Sequence, residues 1–428
     1  MGSKTPFFDR AARLAELRAR FFVPGHKGNA KAIAPFGSVL RYDLTEIKGA
    51  DDLSHPSGPL AESEGNMAKV YGSGASLYSA SGATSCIEAM LGLFLAPEAP
   101  VVMARGCHMA ALRSLVFTGA RPVWVQTAEG RLRPEDLAPV LEKYPGAPVY
   151  LTSPDYYGRM SEVEALSCVC AAAGSPLLVD NAHGAHLRFL RPDRHPLSLG
   201  ADATADSAHK TLPCLTGAAL LHLREEGLAQ RAREMLNLYS STSPSYLVLE
   251  SLDLCAGLLL EKKPDFAGAA ERLAEAAASF THLLVPCDDP MKLCLCPQRA
   301  GWEADVVLGA LEKAGIFPEF YDGRNLVLMA GPYNHPEDFH SLSRALSPFR
   351  QKDRVCLSEE PPLPLPRQVC TPRQAFFAPR ERVSVKRAAG RVRRCPPGVP
   401  LVVPGERISG EAAQALGAGG ILALDVLK

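Results

Sequence analysis

The chain has 428 residues, with 46 Lys plus Arg against 46 Asp plus Glu, so its formal net charge is zero. A chain without excess positive charge does not bind nucleic acid through bulk electrostatics. Its composition, 47% hydrophobic and 21% charged, excludes a disordered, collagen-like or coiled-coil protein and is typical of two or three globular domains.

The N-terminal residues 1–20 are basic and amphipathic, and charged residues interrupt each of their apolar stretches. They therefore lack the apolar core of a secretory signal, and no later run approaches the roughly 18 apolar residues of a membrane span. The twelve cysteines contain no CxxC pair. We interpret them as reduced, mostly buried thiols and expect a cytoplasmic protein.

Short apolar runs bounded by Gly or Pro alternate with helix-length segments from about residue 60 to 235. One such segment, residues 162–173, has its apolar residues on one helical face. The alternation predicts an α/β fold with a mostly parallel sheet, whose sites lie at the carboxyl ends of the strands. The predicted buried strands are Pro100–Met103, Pro122–Val125, Val149–Thr152 and Pro176–Asp180.

The pattern changes after about residue 236 to longer helices, with a predicted strand at Leu326–Met329 and a predicted helix at Pro336–Leu346. This favours a smaller α+β domain over residues 236–358. Residues 359–369 are rich in proline and predict a semi-rigid linker, so residues 370–428 should form a small appended domain.

Three segments carry residues suited to one chemistry. Lys210 lies between small residues and a proline, which favours a nucleophilic amine over a solvated one. Asp180 ends the most apolar predicted strand, where a carboxylate needs a cationic or hydrogen-bonding partner. Residues Ser79–Ser85 are small or hydroxyl-bearing and precede a helix predicted from Cys86, so they can hold a phosphate.

Taken singly, a lysine of this kind is usually structural or solvated, and serines before a helix are usually ordinary caps. Together the three segments match the partners that pyridoxal phosphate needs for its aldehyde, its ring nitrogen and its phosphate, so we predict this cofactor. Asp180, His183 and His186, with His195 nearby, could instead be metal ligands. We predict no metal site, because the cofactor already accounts for this string.

Further segments extend the pattern, and with them the chain resembles the Orn/Lys/Arg decarboxylase family of fold-type-I pyridoxal phosphate enzymes. The resemblance covers nearly the whole chain and implies the short form without a wing domain, with a large cofactor-binding domain over residues 60–235. The segments that carry it are Pro24–Gly28, Asp43–Glu46, Asp51–Leu53, Thr152–Gly158, Val179–His186, Ser207–Pro213, Ser241–Tyr246, Pro396–Pro400 and Pro404–Glu406.

The resemblance implies a role for individual residues. Lys210 would bind the cofactor's aldehyde, and Asp180 would keep the ring nitrogen protonated. His183 would lie near the ring oxygen or the substrate, with Ala182 on one ring face and His108 stacked on the other. The residues implied around the phosphate are Ala83, Thr84, Ser85, Ser207 and His209.

A homodimer with shared active sites is also implied, with residues 1–59 as an N-terminal segment and inter-subunit arm. Thr242 or Ser243 would reach into the neighbouring subunit's site. The expected reaction is decarboxylation of an amino acid, with basic substrates favoured, arginine ahead of lysine and ornithine, and a role in polyamine biosynthesis. Lys210, His209 or a partner residue would protonate Cα. The alternatives are an aminotransferase or Cα side-chain lyase, or a weakly active regulatory homologue.

One segment departs from the family pattern. Between Gly390-Arg391 and Pro396, where the family usually has a longer segment with an Ala-Glu pair, the chain has only Val392-Arg393-Arg394-Cys395. If Arg393 and Arg394 face the pocket, they disfavour a cationic substrate. If they lie on the surface, an acidic residue elsewhere must hold the substrate's tail; the candidates by sequence are Glu46, Asp51 and Asp52.

Overall fold

The computed structural model describes residues 3–17, 19–127, 130–352, 365, 367–384, 403–408 and 423–427. Arg393, Arg394 and the segment 396–400 therefore lie outside the described residues, as does most of the predicted linker. The chain divides into two compact units. The first comprises Met1–Leu95, Pro148–Tyr150 and Val163–Pro264, and the second comprises Ala96–Ala147, Leu151–Glu162 and Asp265–Lys428.

The helices and strands are numbered in chain order. The α-helices are α1 Pro6–Ala15, α2 Pro59–Tyr71, α3 Gly82–Phe94, α4 Met109–Thr118, α5 Pro134–Lys143, α6 Val163–Ala172, α7 Ala208–Thr211, α8 Ala229–Tyr239, α9 Tyr246–Glu261, α10 Phe266–Ala277, α11 Ala304–Lys313, α12 Pro336–Leu346 and α13 Pro372–Phe377. The strands are β1 Ala75–Ser79, β2 Pro100–Ala104, β3 Arg121–Val125, β4 Val149–Thr152, β5 Leu177–Asp180, β6 Ala203–Asp206, β7 Ala219–Leu223, β8 Leu284–Val285, β9 Lys292–Leu295, β10 Phe320–Tyr321, β11 Leu326–Met329, β12 Arg380–Ser384 and β13 Ala423–Leu427. Short 3-10 helices occupy Ala34–Arg41, Ala185–Phe189, Glu226–Leu228, Ala278–Leu283 and Pro297–Ala300.

The first unit is built on neighbouring strands in the order β1-β7-β6-β5, followed by the start of β4. Strands β5 and β6 are parallel, whereas β7 is antiparallel to both β6 and β1. Strands β1, β5 and β6 therefore run in one direction and end at the same edge. In the second unit β2 and β3 are parallel. The large sheet is thus mixed and mostly parallel, which confirms the predicted α/β fold class.

All four predicted strands of the α/β part are present, each within one residue of its predicted ends. The prediction that Pro122–Val125 is buried is wrong for its first three residues, which are half-buried because β3 is an edge strand of the sheet. Strand β5 is buried along its whole length, as a strand covered on both faces requires. Helix α3 begins at Gly82, four residues before the predicted start. The Gly82 N–H group donates to Gly217 O at 2.8 Å, so a tertiary contact fixes the helix start among residues that look like a loop.

The second unit contains a four-stranded antiparallel sheet in the order β10-β11-β9-β8. Leucine and phenylalanine side chains from this sheet and from α10, α11 and α12 form one buried cluster. Both the predicted strand at Leu326–Met329 and the predicted helix at Pro336–Leu346 have these bounds in the structure. Strands β12 and β13 pair separately and antiparallel.

The described cysteines are all free, and most are buried. Cys168 is exposed, because it lies off the α6 face that buries Val163, Leu166 and Cys170. Every helix of the described residues is too short or too polar to cross a lipid bilayer.

Candidate active site

The three segments predicted to bind the cofactor follow strands β1, β5 and β6, which end at the same edge of the first unit's sheet. The residues that lead into β7 form backbone hydrogen bonds to two of these segments. Gly217 O accepts the Gly82 N–H group at 2.8 Å, and Ala218 O accepts the His209 N–H group at 3.2 Å. The topology therefore brings the predicted phosphate segment and the lysine segment to one place.

Lys210 lies on the short helix α7, and its ammonium group contacts His183. Lys210 Nζ is 2.9 Å from His183 Nε2. His183 is buried, whereas Lys210 is half-buried. Because an ammonium group can only donate, the pair requires an unprotonated Nε2 on the histidine. This contact keeps His183 beside the amine that must be unprotonated to act as a nucleophile.

Asp180 is 2% exposed at the carboxyl end of β5. Its carboxylate accepts hydrogen bonds from Tyr150 Oη at 3.2 Å and from the Ala182 N–H group at 3.1 Å. A buried carboxylate with fixed donors is oriented to hold a cationic partner. Tyr150 does not stand out in the sequence, because it lies inside an apolar strand and only the fold brings its hydroxyl to Asp180.

The N-terminus of α3 offers backbone donors. No side chain caps this helix, and a Cβ placed at Gly82 would meet no atom within 4 Å. The Ser85 hydroxyl donates to Gly82 O at 2.9 Å and lies 2.8 Å from Ser79 Oγ. Ala83 and Ser85 are buried and Thr84 is half-buried, so backbone N–H groups are the available phosphate donors here.

His209 is oriented by the backbone. Its Nδ1 lies 2.9 Å from Ala218 O, and since a carbonyl only accepts, Nδ1 donates a proton to it, which leaves Nε2 for other partners. Ser207 is buried at the end of β6, and Ala182 is half-buried. Thr242 and Ser243 are exposed on the loop between α8 and α9.

His108 belongs to the second unit, where it is the N-cap of α4 and its Nδ1 accepts the Ala110 N–H group at 3.2 Å. Three residues earlier, Arg105 forms a bidentate ion pair with Glu406, at 2.6 Å and 3.0 Å. Gly405 has a φ of 89°, and a Cβ there would lie 2.2 Å from Cys370 O, so only glycine fits. The Pro404–Glu406 segment therefore supports the loop that carries His108.

Backbone N–H groups occupy both carboxylate oxygens of Asp51, so this residue is a poor candidate for holding a substrate. Its two carboxylate oxygens accept the N–H groups of Asp52, Ser57, Gly58 and Leu60, at 2.9 to 3.2 Å. This arrangement anchors the start of α2. Glu46 is exposed, and Asp52 accepts the Ser54 N–H group at 2.8 Å.

A second pair links two of the segments that carried the family resemblance. His26 Nε2 lies 3.1 Å from Asp43 Oδ2, and His26 Nδ1 accepts the Gly28 N–H group at 3.0 Å. Because of the contact between His26 and Asp43, these two segments lie next to each other in the first unit.

These residues fit pyridoxal phosphate. A deprotonatable lysine, a buried oriented carboxylate and an uncapped helix N-terminus with open space before it are the three partners that the aldehyde, the ring nitrogen and the phosphate require.

Comparison with known proteins gives a consistent result. Residues 5–278 match the family model described as Orn/Lys/Arg decarboxylase, major domain. The chain is 32% identical to the uncharacterized protein YaaO of Bacillus subtilis (strain 168), over 96% of this chain and 93% of that protein. It is 28% identical to the arginine decarboxylase of the same organism, over 95% and 92% of the two chains.

Solved structures show the same fold. The lysine decarboxylase LdcF of Francisella novicida superposes with a TM-score of 0.81 at 15% identity, covering 99% of this chain and 81% of that one. The ureidoglycine-glyoxylate aminotransferase of Bacillus subtilis matches 67% of this chain and 84% of its own, with a TM-score of 0.55 at 16% identity. The chain therefore belongs to the Orn/Lys/Arg decarboxylase family and is a pyridoxal phosphate-dependent amino acid decarboxylase.

Proposed function

We propose that this enzyme decarboxylates a basic amino acid, with arginine ahead of lysine and ornithine, to the corresponding amine and carbon dioxide. The observation that carries the cofactor chemistry is the 2.9 Å contact between Lys210 and His183 at the sheet edge where buried Asp180 also lies, and the family match carries the reaction type. The substrate order is supported by relatives named arginine decarboxylase at 28% identity over most of the chain.

Bound pyridoxal phosphate supplies a ring that takes up the electron pair left when the bond between Cα and the carboxylate breaks. Asp180 holds positive charge at the ring nitrogen, and Tyr150 and the Ala182 N–H group keep its carboxylate oriented. His183 Nε2 lies 2.9 Å from Lys210 Nζ and positions this amine. We assign the later protonation of Cα to Lys210, to His209 Nε2 or to a partner residue.

We propose a homodimer with shared active sites as the minimal active unit. Thr242 and Ser243 are exposed on one loop of the first unit, available to a second copy. Large apolar side chains of the N-terminal segment are also exposed, among them Phe21 at 97% and Phe36 at 61%. Several large exposed apolar side chains within one short segment support a surface there that a second copy covers. Light scattering after gel filtration should give twice the chain mass, and a monomeric active enzyme would contradict the proposal.

The described cysteines, all free, suit a reducing compartment, so we propose a cytoplasmic enzyme. Fractionation of cells that produce the protein tests this location directly.

The same cofactor partners serve aminotransferases, and the structural match to the ureidoglycine-glyoxylate aminotransferase keeps transamination as the second candidate. The remaining alternative, a weakly active regulatory homologue, depends on the altered segment at residues 392–395, which lie outside the described residues.

One experiment separates these functions. Purified enzyme with added cofactor is incubated with arginine, lysine, ornithine and glutamate, and products are identified by mass together with released carbon dioxide. Lys210→Ala is the matched inactive control. We expect amines from the basic substrates, in the order given. Oxo acids without carbon dioxide would establish transamination, and the absence of turnover of all four would contradict the proposed substrate class.

A further inference from the structure

A second group of chemically capable side chains lies in the first unit, apart from the residues assigned to the cofactor. His195, Asp206 and His222 are each 0% exposed, and one donor atom from each lies within 4.8 Å of the others. We call this group the buried triad. None of its members has a role in the proposed reaction.

The sheet register explains why these residues meet. His222 pairs with Thr204 across β6 and β7, and Asp206 lies two residues further along β6, so His222 and Asp206 are diagonal neighbours on one face. Asp206 Oδ2 is 2.8 Å from His195 Nε2 and 3.8 Å from His222 Nε2. Both imidazoles therefore present Nε2 to the same carboxylate.

His222 Nε2 has no hydrogen-bond partner among the described residues, whereas the Asp206 carboxylate also interacts with the Asn181 side chain. Leaving this nitrogen buried and unpaired is costly, so it calls for a further partner. The His222 ring is held by a 2.7 Å contact between Nδ1 and Ser76 Oγ, which is in turn 2.7 Å from Ser73 Oγ. An imidazole fixed through one nitrogen while the other faces a carboxylate has the orientation of a metal ligand.

We infer that the buried triad binds a Zn²⁺ ion, which would revise our sequence-based prediction of no metal site. Two imidazole nitrogens and a carboxylate form a ligand set that Zn²⁺ accepts. The buried triad supplies three donors, one oxygen of Asp206 and one nitrogen of each histidine, which leaves the fourth tetrahedral position to a water molecule.

The distances are close to those that coordination requires. Bonds of about 2.0–2.2 Å in a tetrahedron separate neighbouring donors by about 3.4 Å, and the observed separations of 2.8 Å and 3.8 Å bracket this value. The ion replaces the proton shared by His195 Nε2 and Asp206. The Leu197 N–H group lies 3.3 Å from His195 Nδ1, a long hydrogen bond that the ring gives up on binding.

The inference is independent of the proposed function, because it concerns metal content and stability. Since the buried triad is fully enclosed, the ion must enter as the chain folds, and it then clamps β6, β7 and the turn that carries His195. Such a site is structural, so cofactor binding and metal binding can be measured separately.

The test measures zinc per chain by mass spectrometry of the full-length protein, produced in zinc-supplemented medium and purified without chelators or metal-affinity resin. We expect about one Zn²⁺ per chain in the wild type and in His340→Asn, a control that removes an exposed histidine. Asp206→Asn and His222→Asn should lose at least nine tenths of the zinc. Metal-free wild-type protein, or zinc that persists in both triad variants, overturns the inference.

A second measurement covers the case in which the triad variants do not fold. Wild-type protein is unfolded, then refolded with Zn²⁺ or with a strong zinc chelator. We expect the zinc sample alone to recover the original Tm. Equal Tm values for the two samples would also overturn the inference.

Discussion

Glu250, on the inner face of α9, makes a quantitative prediction about stability and pH. The residue is 3% exposed, and its Oε1 has no hydrogen-bond partner among the described residues. Burial raises the pKa of its carboxyl to about 8, and repulsion from Asp43 and then Asp253 adds to the effect. The folded chain therefore keeps a proton that the unfolded chain releases near pH 4.3.

The sign follows from proton binding. Between about pH 4.3 and pH 8 the unfolded state binds fewer protons than the folded state, so the free energy of unfolding falls as pH rises. The difference between the folded-state and unfolded-state pKa values of Glu250 lowers the free energy of unfolding by at most about 5 kcal/mol at pH 8, because one pKa unit corresponds to about 1.4 kcal/mol. Glu250→Gln cannot ionise and escapes this loss. Asp253, whose pKa burial raises to about 6, titrates in both proteins and cancels in their difference.

Urea unfolding of wild type and Glu250→Gln at a fixed protein concentration, with excess cofactor, checks this from about pH 5 to pH 8. We expect similar stability near pH 5 and a variant more stable by about 2 kcal/mol or more near pH 8, with about 4 kcal/mol as the ceiling over this range. Glu261→Gln, at the exposed end of the same helix, is the control and should show no such trend. Parallel pH profiles for wild type and Glu250→Gln would refute the reasoning.

Four further predictions concern the site and its surroundings. Borohydride treatment of the holoenzyme should bleach its yellow colour and fix the cofactor's mass on Lys210; labelling of another lysine would contradict the assignment. Asp180→Asn should still bind cofactor but lose activity by orders of magnitude, and a rate above about a tenth of wild type, a loss of only about 1.4 kcal/mol, would mean that the ring partner is wrong. Asp51→Asn should lower the free energy of unfolding by about 1–3 kcal/mol without changing the ratio of basic to acidic substrates, whereas a changed ratio would restore Asp51 as a substrate ligand. Replacing Arg393 and Arg394 together with Ala should raise turnover of arginine relative to glutamate if the pair faces the pocket; an unchanged ratio places the pair outside it.

The sequence was sufficient for elements that depend on local pattern. Strand β4 and helix α12 have their predicted bounds, because an apolar run between turn residues and a proline-started amphipathic segment each specify their own ends. Helix α3 was placed four residues late, because its first turn consists of small residues and its start depends on a hydrogen bond to Gly217, which is 135 residues away (217 − 82).

The candidate site likewise contains residues that the local sequence identifies and residues that only the fold identifies. Lys210 and Asp180 stand out in sequence because their neighbours are unusual for a surface lysine and a strand-end carboxylate. Tyr150 and Asp51 do not, since their roles arise from a neighbouring strand and from backbone groups up to nine residues away. His222 could be joined with Asp206 only once the antiparallel register of β6 and β7 was known.

The ion pair between Arg105 and Glu406 has a consequence for the order in which the enzyme matures. The two residues are 301 positions apart, and the Glu406 side chain is fully enclosed. During synthesis, the loop carrying His108 therefore remains without this anchor until the ribosome has added some three hundred more residues. A nascent chain can therefore complete β5, β6 and the lysine segment before the Arg105–Glu406 pair secures that loop.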